Sequence, residues 1–135
     1  MAGYSTKALP QKLGIKPGDA MVVLNAPKDY AKMVAPLPAG AAIAARPPKA
    51  GAPFVHLFVT SVGELEKLLP VARKAMAVDG MIWVSWYKMA AKIPADVTEG
   101  TIRNLALRGD LVDVKVCAVS DVWSGLKLVV RKALR

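Results

Sequence analysis

Val55-His56-Leu57-Phe58-Val59-Thr60-Ser61-Val62-Gly63-Glu64 is the stretch that decides how the rest of the chain is read. Its first six residues are a continuous, β-favouring run, the pattern of a strand buried on both faces. Ser61 and Glu64 then stand at capping-box spacing: the serine oxygen takes the Glu64 amide and the glutamate reaches back. Leu65, Leu68, Leu69, Ala72, Ala75 and Met76 follow on one helical face. A buried strand running straight into an amphipathic helix is half of a βαβ unit, so a parallel sheet is expected. Pro70 interrupts the helical pattern and predicts a kink or a restarted helix.

The same punctuation recurs on either side. Upstream, Ala20 to Asn25 reads as another doubly buried strand, Asp29 to Leu37 as a short helix closed by Pro38, and Ala41 to Arg46 as a weak strand. Residues 1–18 read as an arm that turns at Lys16-Pro17-Gly18-Asp19. Downstream, Asp79-Gly80 predicts a turn before a strand over Met81 to Trp86. Asp96 and Glu99 have capping-box spacing for a helix stopped by Gly109. Leu111 to Val119 and Leu126 to Lys132 alternate with period two, and Ser120 to Gly125 joins them as a β-hairpin.

Composition narrows the class. The 135 residues are 54% hydrophobic, enough for one domain with a real core. The richest apolar stretch, Ala35 to Ala45, is broken by Pro36, Pro38 and Gly40, so no membrane span is expected. MAGYSTKALPQK lacks an apolar signal core, which favours the cytoplasm. A single Cys117 and a single His56 leave no material for a disulfide or a multi-cysteine metal cage. Basic residues outnumber acidic ones by 19 to 10, a net charge of +9 that suits acidic partners or nucleic acid. No nucleic-acid recognition motif accompanies it.

Two resemblances emerge from particular residues. Leu13-Gly14-Ile15-Lys16-Pro17-Gly18 is similar to the lead-in of many S-adenosylmethionine methyltransferases, and Ala77-Val78-Asp79-Gly80-Met81-Ile82-Trp83-Val84 resembles the turn and strand after their fourth helix. Nearly the whole chain resembles an uncharacterised bacterial family known only as a domain of unknown function. That likeness rests on Leu24-Asn25-Ala26-Pro27, His56 to Thr60, Trp83-Val84-Ser85-Trp86, Val112 to Val119 and Trp123-Ser124-Gly125-Leu126-Lys127. Members of that family usually read proline, lysine and serine where this chain has Tyr87, Met89 and Ala91. The resemblance implies a three-layer, Rossmann-like α/β domain over residues 19–135. Its mainly parallel sheet would have about six strands and end in an antiparallel hairpin, a reduced methyltransferase-like topology.

It also implies where chemistry has been lost. In methyltransferases the cofactor lies against a glycine-rich turn after the first strand. Here that turn is Asn25-Ala26-Pro27-Lys28-Asp29-Tyr30, without a glycine and with Pro27 lacking an amide donor. A carboxylate normally ends the second strand, whereas this chain places Arg46 there, which only donates. One strand and two helices of the full fold are missing between Arg46 and Phe54. No catalytic residue, cofactor or metal is therefore assigned.

Ligands of open α/β sheets favour the carboxyl ends of the strands. That rule singles out Asn25, Thr60, Ser61, Trp86 and Lys88 as a candidate pocket. Tyr87, Lys92 and Trp123 form a candidate aromatic interface for a protein partner or a second copy. Aromatics interleaved with lysines also suit nucleic acid. Each has a plainer role available: Ser61 as a helix cap, Asn25 as a turn former, Trp86 as a lid on the core. His56 reads as a hydrogen-bonded structural histidine, and Cys117 as a small buried side chain. The leading expectation is a non-catalytic, methyltransferase-like binding domain. The alternatives are a divergent S-adenosylmethionine-dependent methyltransferase and a weak nucleic-acid or anion binder.

Overall fold

The computed structural model describes residues 7–89 and 95–135. Lys92 and Ala91 lie outside them, as do the first six residues of the expected arm. The described chain forms a mixed six-stranded sheet in the order β2-β1-β3-β4-β6-β5. The strands are β1 (Ala20–Leu24), β2 (Ala42–Ile43), β3 (Ala52–Phe58), β4 (Met76–Tyr87), β5 (Leu111–Ala118) and β6 (Trp123–Val130). The pairings β1 with β2, β1 with β3 and β3 with β4 are parallel, while β6 runs antiparallel to both β4 and β5. Five strands thus share one direction and β6 alone opposes them. The closing hairpin inserts its second strand between β4 and β5.

Helices α1 (Leu9–Leu13) and α2 (Tyr30–Met33) lie on one face of the sheet, α3 (Val62–Ala75) and α4 (Glu99–Arg108) on the other. Strand side chains alternate between them. Under α3 and α4, Val22, Val55, Leu57, Leu65, Leu69, Ile82, Val84, Ile102, Leu126 and Leu128 build an aliphatic core. Under α1 and α2 the core is aromatic: Tyr30, Phe54, Phe58 and Trp83 pack with Leu13, Met21 and Val34. Burying each large side chain contributes about 1.5–3 kcal/mol, so both faces contribute to stability.

Several boundaries differ from the sequence expectation, each for an identifiable reason. Residues 9–13 are a helix, not a free arm; Leu13 and Ile15 are buried, and the Leu13 carbonyl accepts the Trp83 indole N–H at 2.8 Å. Proline at its second position fits a helix's first turn, where no amide is needed. The expected helix over Asp29 to Leu37 is one turn, and the expected strand over Ala41 to Arg46 keeps only Ala42–Ile43. Helix α3 runs without interruption through Pro70, which leaves the Glu66 carbonyl without its usual helical donor.

Asp79-Gly80 is not a turn between elements but part of a wide bulge inside β4. Ala52 pairs with Met76, yet Phe54 pairs with Met81, so β4 spends three extra residues there. The backbones press together at that point. A Cβ on Gly51 (φ +96°) would lie 2.5 Å from the Ala77 nitrogen, and one on Gly80 would lie 2.7 Å from the Ala52 oxygen. Only glycine fits either place. The Asp96 cap is likewise corrected: Thr98 caps α4 by accepting the Thr101 amide, and Asp96 instead accepts the Val62 amide at the start of α3. The hairpin loop is shorter than expected. The Ser120 hydroxyl accepts the amides of Val122 and Trp123, which restarts the strand at Trp123 rather than Leu126.

The connection from β2 to β3 passes β1 in eight residues without a helix. Parallel crossovers normally carry one. Its omission leaves a cleft of about 570 Å³ beside α3, lined by Val22, Leu24, Ala45, Pro47, Val71, Lys74 and Ala75.

Candidate functional site

The carboxyl ends of β1 and β3 converge at the N-terminus of α3, as the parallel pairing of these strands requires. Asn25 ends β1 with φ 59°, the left-handed conformation that asparagine tolerates better than most residues. Its amide donates to the Phe58 carbonyl at 2.9 Å and to the Glu64 carboxylate at 3.3 Å. The other Glu64 oxygen accepts the Thr60 amide at 2.7 Å and the Thr60 hydroxyl at 2.8 Å. Ser61 accepts the Glu64 amide at 3.1 Å, so the capping box forms with its glutamate reaching one residue further back than Ser61. The Thr60 backbone bond, then the Thr60 hydroxyl, hold Glu64 below the usual carboxylate range. Asn25, Thr60 and Ser61 are thus brought together around a carboxylate absent from the expected set, although its capping-box spacing had marked it.

The remaining candidates are placed differently. Trp86 is buried in the aliphatic cluster with Val97 and Ile102. The Lys88 amide donates to Val122, closing the sheet beside the hairpin loop. Tyr87 and Trp123 are direct cross-strand partners whose rings stack 4.2 Å apart, and Phe58 meets Trp123 edge-on at 5.0 Å. Both rings of the stack are half-buried, so the expected interface pair is first of all an intramolecular contact.

A second polar constellation lies inside the aromatic core. His56 is fully buried, with Nδ1 2.9 Å from the Tyr30 hydroxyl and Nε2 2.8 Å from the Ser85 hydroxyl. Its ring stacks on Phe58 at 4.3 Å and meets Tyr30 edge-on at 5.3 Å. Burial depresses the imidazole to about 3, so it is neutral at physiological pH, with one nitrogen donating and the other accepting. Burial likewise raises Tyr30 above the ordinary phenol value. Tyr30, His56 and Ser85 therefore form a closed relay from α2 through β3 to β4, sealed from solvent. The sequence suggested a structural histidine without a carboxylate; its two hydroxyl partners, 26 and 29 residues away, carried no local signal.

Cys117 is half-buried, and its thiol is pushed up first by burial, which keeps it protonated and a poor nucleophile. Among the described residues no three His, Cys, Asp or Glu side chains gather as metal ligands, and no helix is long and apolar enough to cross a membrane. Two clefts flank α3 and α4: one of about 480 Å³ lined by Glu66, Thr98, Asn104 and Arg108, and one of about 250 Å³ lined by Leu69, Pro70, Leu105 and Leu111. Beside the second, Arg73 grips Asp110 with two nitrogens and holds its carboxyl below the usual carboxylate range.

No family model matches the chain, and no curated protein is found similar to it. Among solved structures, LepI in complex with SAM aligns over 91% of this chain at 15% identity, with a TM-score of 0.46. A structure described as a pericyclic reaction enzyme aligns over the same 91% at 13% identity, with a TM-score of 0.47. The chain spans 39% of the length of either protein.

Proposed function

We propose that this chain is a non-catalytic binding domain on a reduced, Rossmann-like methyltransferase scaffold, a single folded unit in which residues 19–135 are joined by the packed helix α1. The observation that carries the reading is the network at the strand ends. There Glu64 is committed to Thr60 and Asn25, and Asn25 to Phe58, so the polar groups where a nucleoside cofactor would dock are spent on each other. Pro27 in the adjoining turn has no amide to offer. The His56 relay is buried and its imidazole too weak a base to take a proton near neutrality. Function on such a scaffold falls to its surface.

The test is thermal denaturation with S-adenosylmethionine and with its demethylated product. A ligand held at a hundredfold its Kd adds about 2.7 kcal/mol, which in a domain of this size raises Tm by on the order of 8 °C. No rise is expected from either compound at millimolar concentration. A clear, saturable rise would replace this reading with that of a divergent methyltransferase.

A further inference from the structure

Four lysines meet on the sheet face that carries α1. Lys115 on β5 and Lys127 on β6 are in direct register across an antiparallel pair. Side chains so opposed have Cβ atoms about 4.5–5.5 Å apart, where like charges destabilise a sheet. On its other side Lys127 stands opposite Trp83, and the Lys115 ammonium lies 6.0 Å from the centre of that indole. Lys12, on α1, donates to the Ala118 carbonyl at 2.8 Å, and its charge and that of Lys115 both act on Cys117 between them. Lys16 follows in the turn after α1. Burial first, then the charges of Lys115 and Lys16, hold Lys127 below the ordinary lysine value.

Residues 12 and 16 lie about a hundred positions from 115 and 127 in sequence, so no local preference gathers them. Among the described residues no carboxylate forms an ion pair with any of the four ammonium groups, although Asp19 accepts the Lys16 backbone amide at 2.9 Å; the ion pairs are Arg73–Asp110, Arg103–Glu99 and Arg103–Asp113. One carbonyl and one indole offset part of the repulsion. The remainder calls for an anion from outside. Along the same face of β6, Gly125 and then Trp123 follow Lys127, and Trp123 carries the stack with Tyr87. From Lys127 to Trp123 is roughly 13 Å of strand, so the aromatic stack stands within a few nucleotides' reach of a backbone held at the lysines.

We propose that this face binds the phosphate backbone of a single-stranded nucleic acid, with Lys12, Lys16, Lys115 and Lys127 on the phosphates and the Tyr87–Trp123 stack as a platform for an unpaired base. Base stacking on an aromatic beside a cationic track needs an unpaired strand, which favours single strands over duplex. The inference rests on the reading of the chain as a binding domain.

Fluorescence anisotropy with labelled oligothymidylate and oligouridylate, across a salt series, tests it. Four phosphate contacts predict a slope of log K against log salt of about −3. K115E/K127E is expected to weaken binding at least tenfold; K115Q/K127Q, which removes the opposed like charges, is expected to weaken it in the same direction at a Tm no lower than that of the parent. K67E/K74E makes the same charge change on exposed α3, on the opposite face, and is expected to leave affinity within about twofold. Oligonucleotide, but not inorganic polyphosphate, should quench tryptophan emission, and Trp123→Ala should abolish the quench. Equal weakening by both lysine pairs, tighter binding of duplex, or retention on phosphatidylserine vesicles without oligonucleotide binding would each overturn the proposal. A Tm rise with S-adenosylmethionine while oligonucleotide binding persists would instead sink only the reading beneath it.

Discussion

The two faces of the sheet are built by different rules. The face under α3 and α4 is aliphatic apart from Trp86, and its polar work is done at the rim by Ser61, Glu64, Thr98 and Arg73. The face under α1 and α2 is aromatic and encloses hydroxyls, an imidazole and an indole N–H, all of them bonded. Shape and volume suffice to specify the first, and many side chains of similar size would serve. On the second, removing Tyr30, His56 or Ser85 strands a polar partner in a dry environment, where an unmet hydroxyl costs about 1–3 kcal/mol. The short helices α1 and α2 depend on that specificity to fix where they dock.

The sharpest way to break this comparison is His56→Ala. It opens a cavity and leaves the Tyr30 and Ser85 hydroxyls unmet, so a loss of about 4 kcal/mol is expected in urea denaturation. Val55→Ala, one residue away on the aliphatic face, should cost clearly less. Equal losses would erase the distinction between the faces.

A smaller effect is readable in pH. His56 is the only histidine, and its folded value of about 3 lies below the ordinary 6.5. The unfolded chain therefore takes a proton that the folded chain refuses. The associated stability is complete above pH 6.5 and falls as pH drops towards 3, by about 1.4 kcal/mol per unit. Between pH 6.5 and 5, before the carboxylates titrate, about 2 kcal/mol should be lost. The triple variant Tyr30→Phe, His56→Phe, Ser85→Ala should be flat over that interval. A parent protein equally flat would mean that His56 is not sealed as described.

The smallest effect belongs to the aliphatic side. Ser61→Ala removes the cap of α3, at a cost of about 1 kcal/mol. Amide exchange should quicken at Glu64 and Leu65 and leave β3 unchanged. A change spreading to Tyr30 and His56 would show that the two faces are coupled.

Legibility in the sequence followed the range of the interaction. The β3–α3 passage was readable because its strand run and its capping box are each complete within ten residues. The Asp79-Gly80 signal was real, but its meaning was a bulge, since what requires glycine there is the backbone of Ala52 on the neighbouring strand. Asp96 resembled a cap because Glu99 follows at the right spacing, yet Thr98 took that role and Asp96 reached α3 instead. Of the candidate pocket, Asn25, Thr60 and Ser61 assemble through Glu64, and Trp86 joins the core. Helix α1 was missed because five residues cannot announce amphipathicity; its identity as a helix comes from docking Leu13 against Trp83.

The sequence by itself determined the alternation of strands and helices, the antiparallel ending, and a turn after β1 that contains no glycine. These depend on periodicity, capping and residue chemistry, which act over a turn or two of chain. Tertiary structure alone decided that Tyr30 and Ser85 meet His56 from either side, and that Lys12 and Lys16 join Lys115 and Lys127 on one face. Those meetings depend on strand order and register, which bring together parts of the chain as far apart as Lys12 and Ala118.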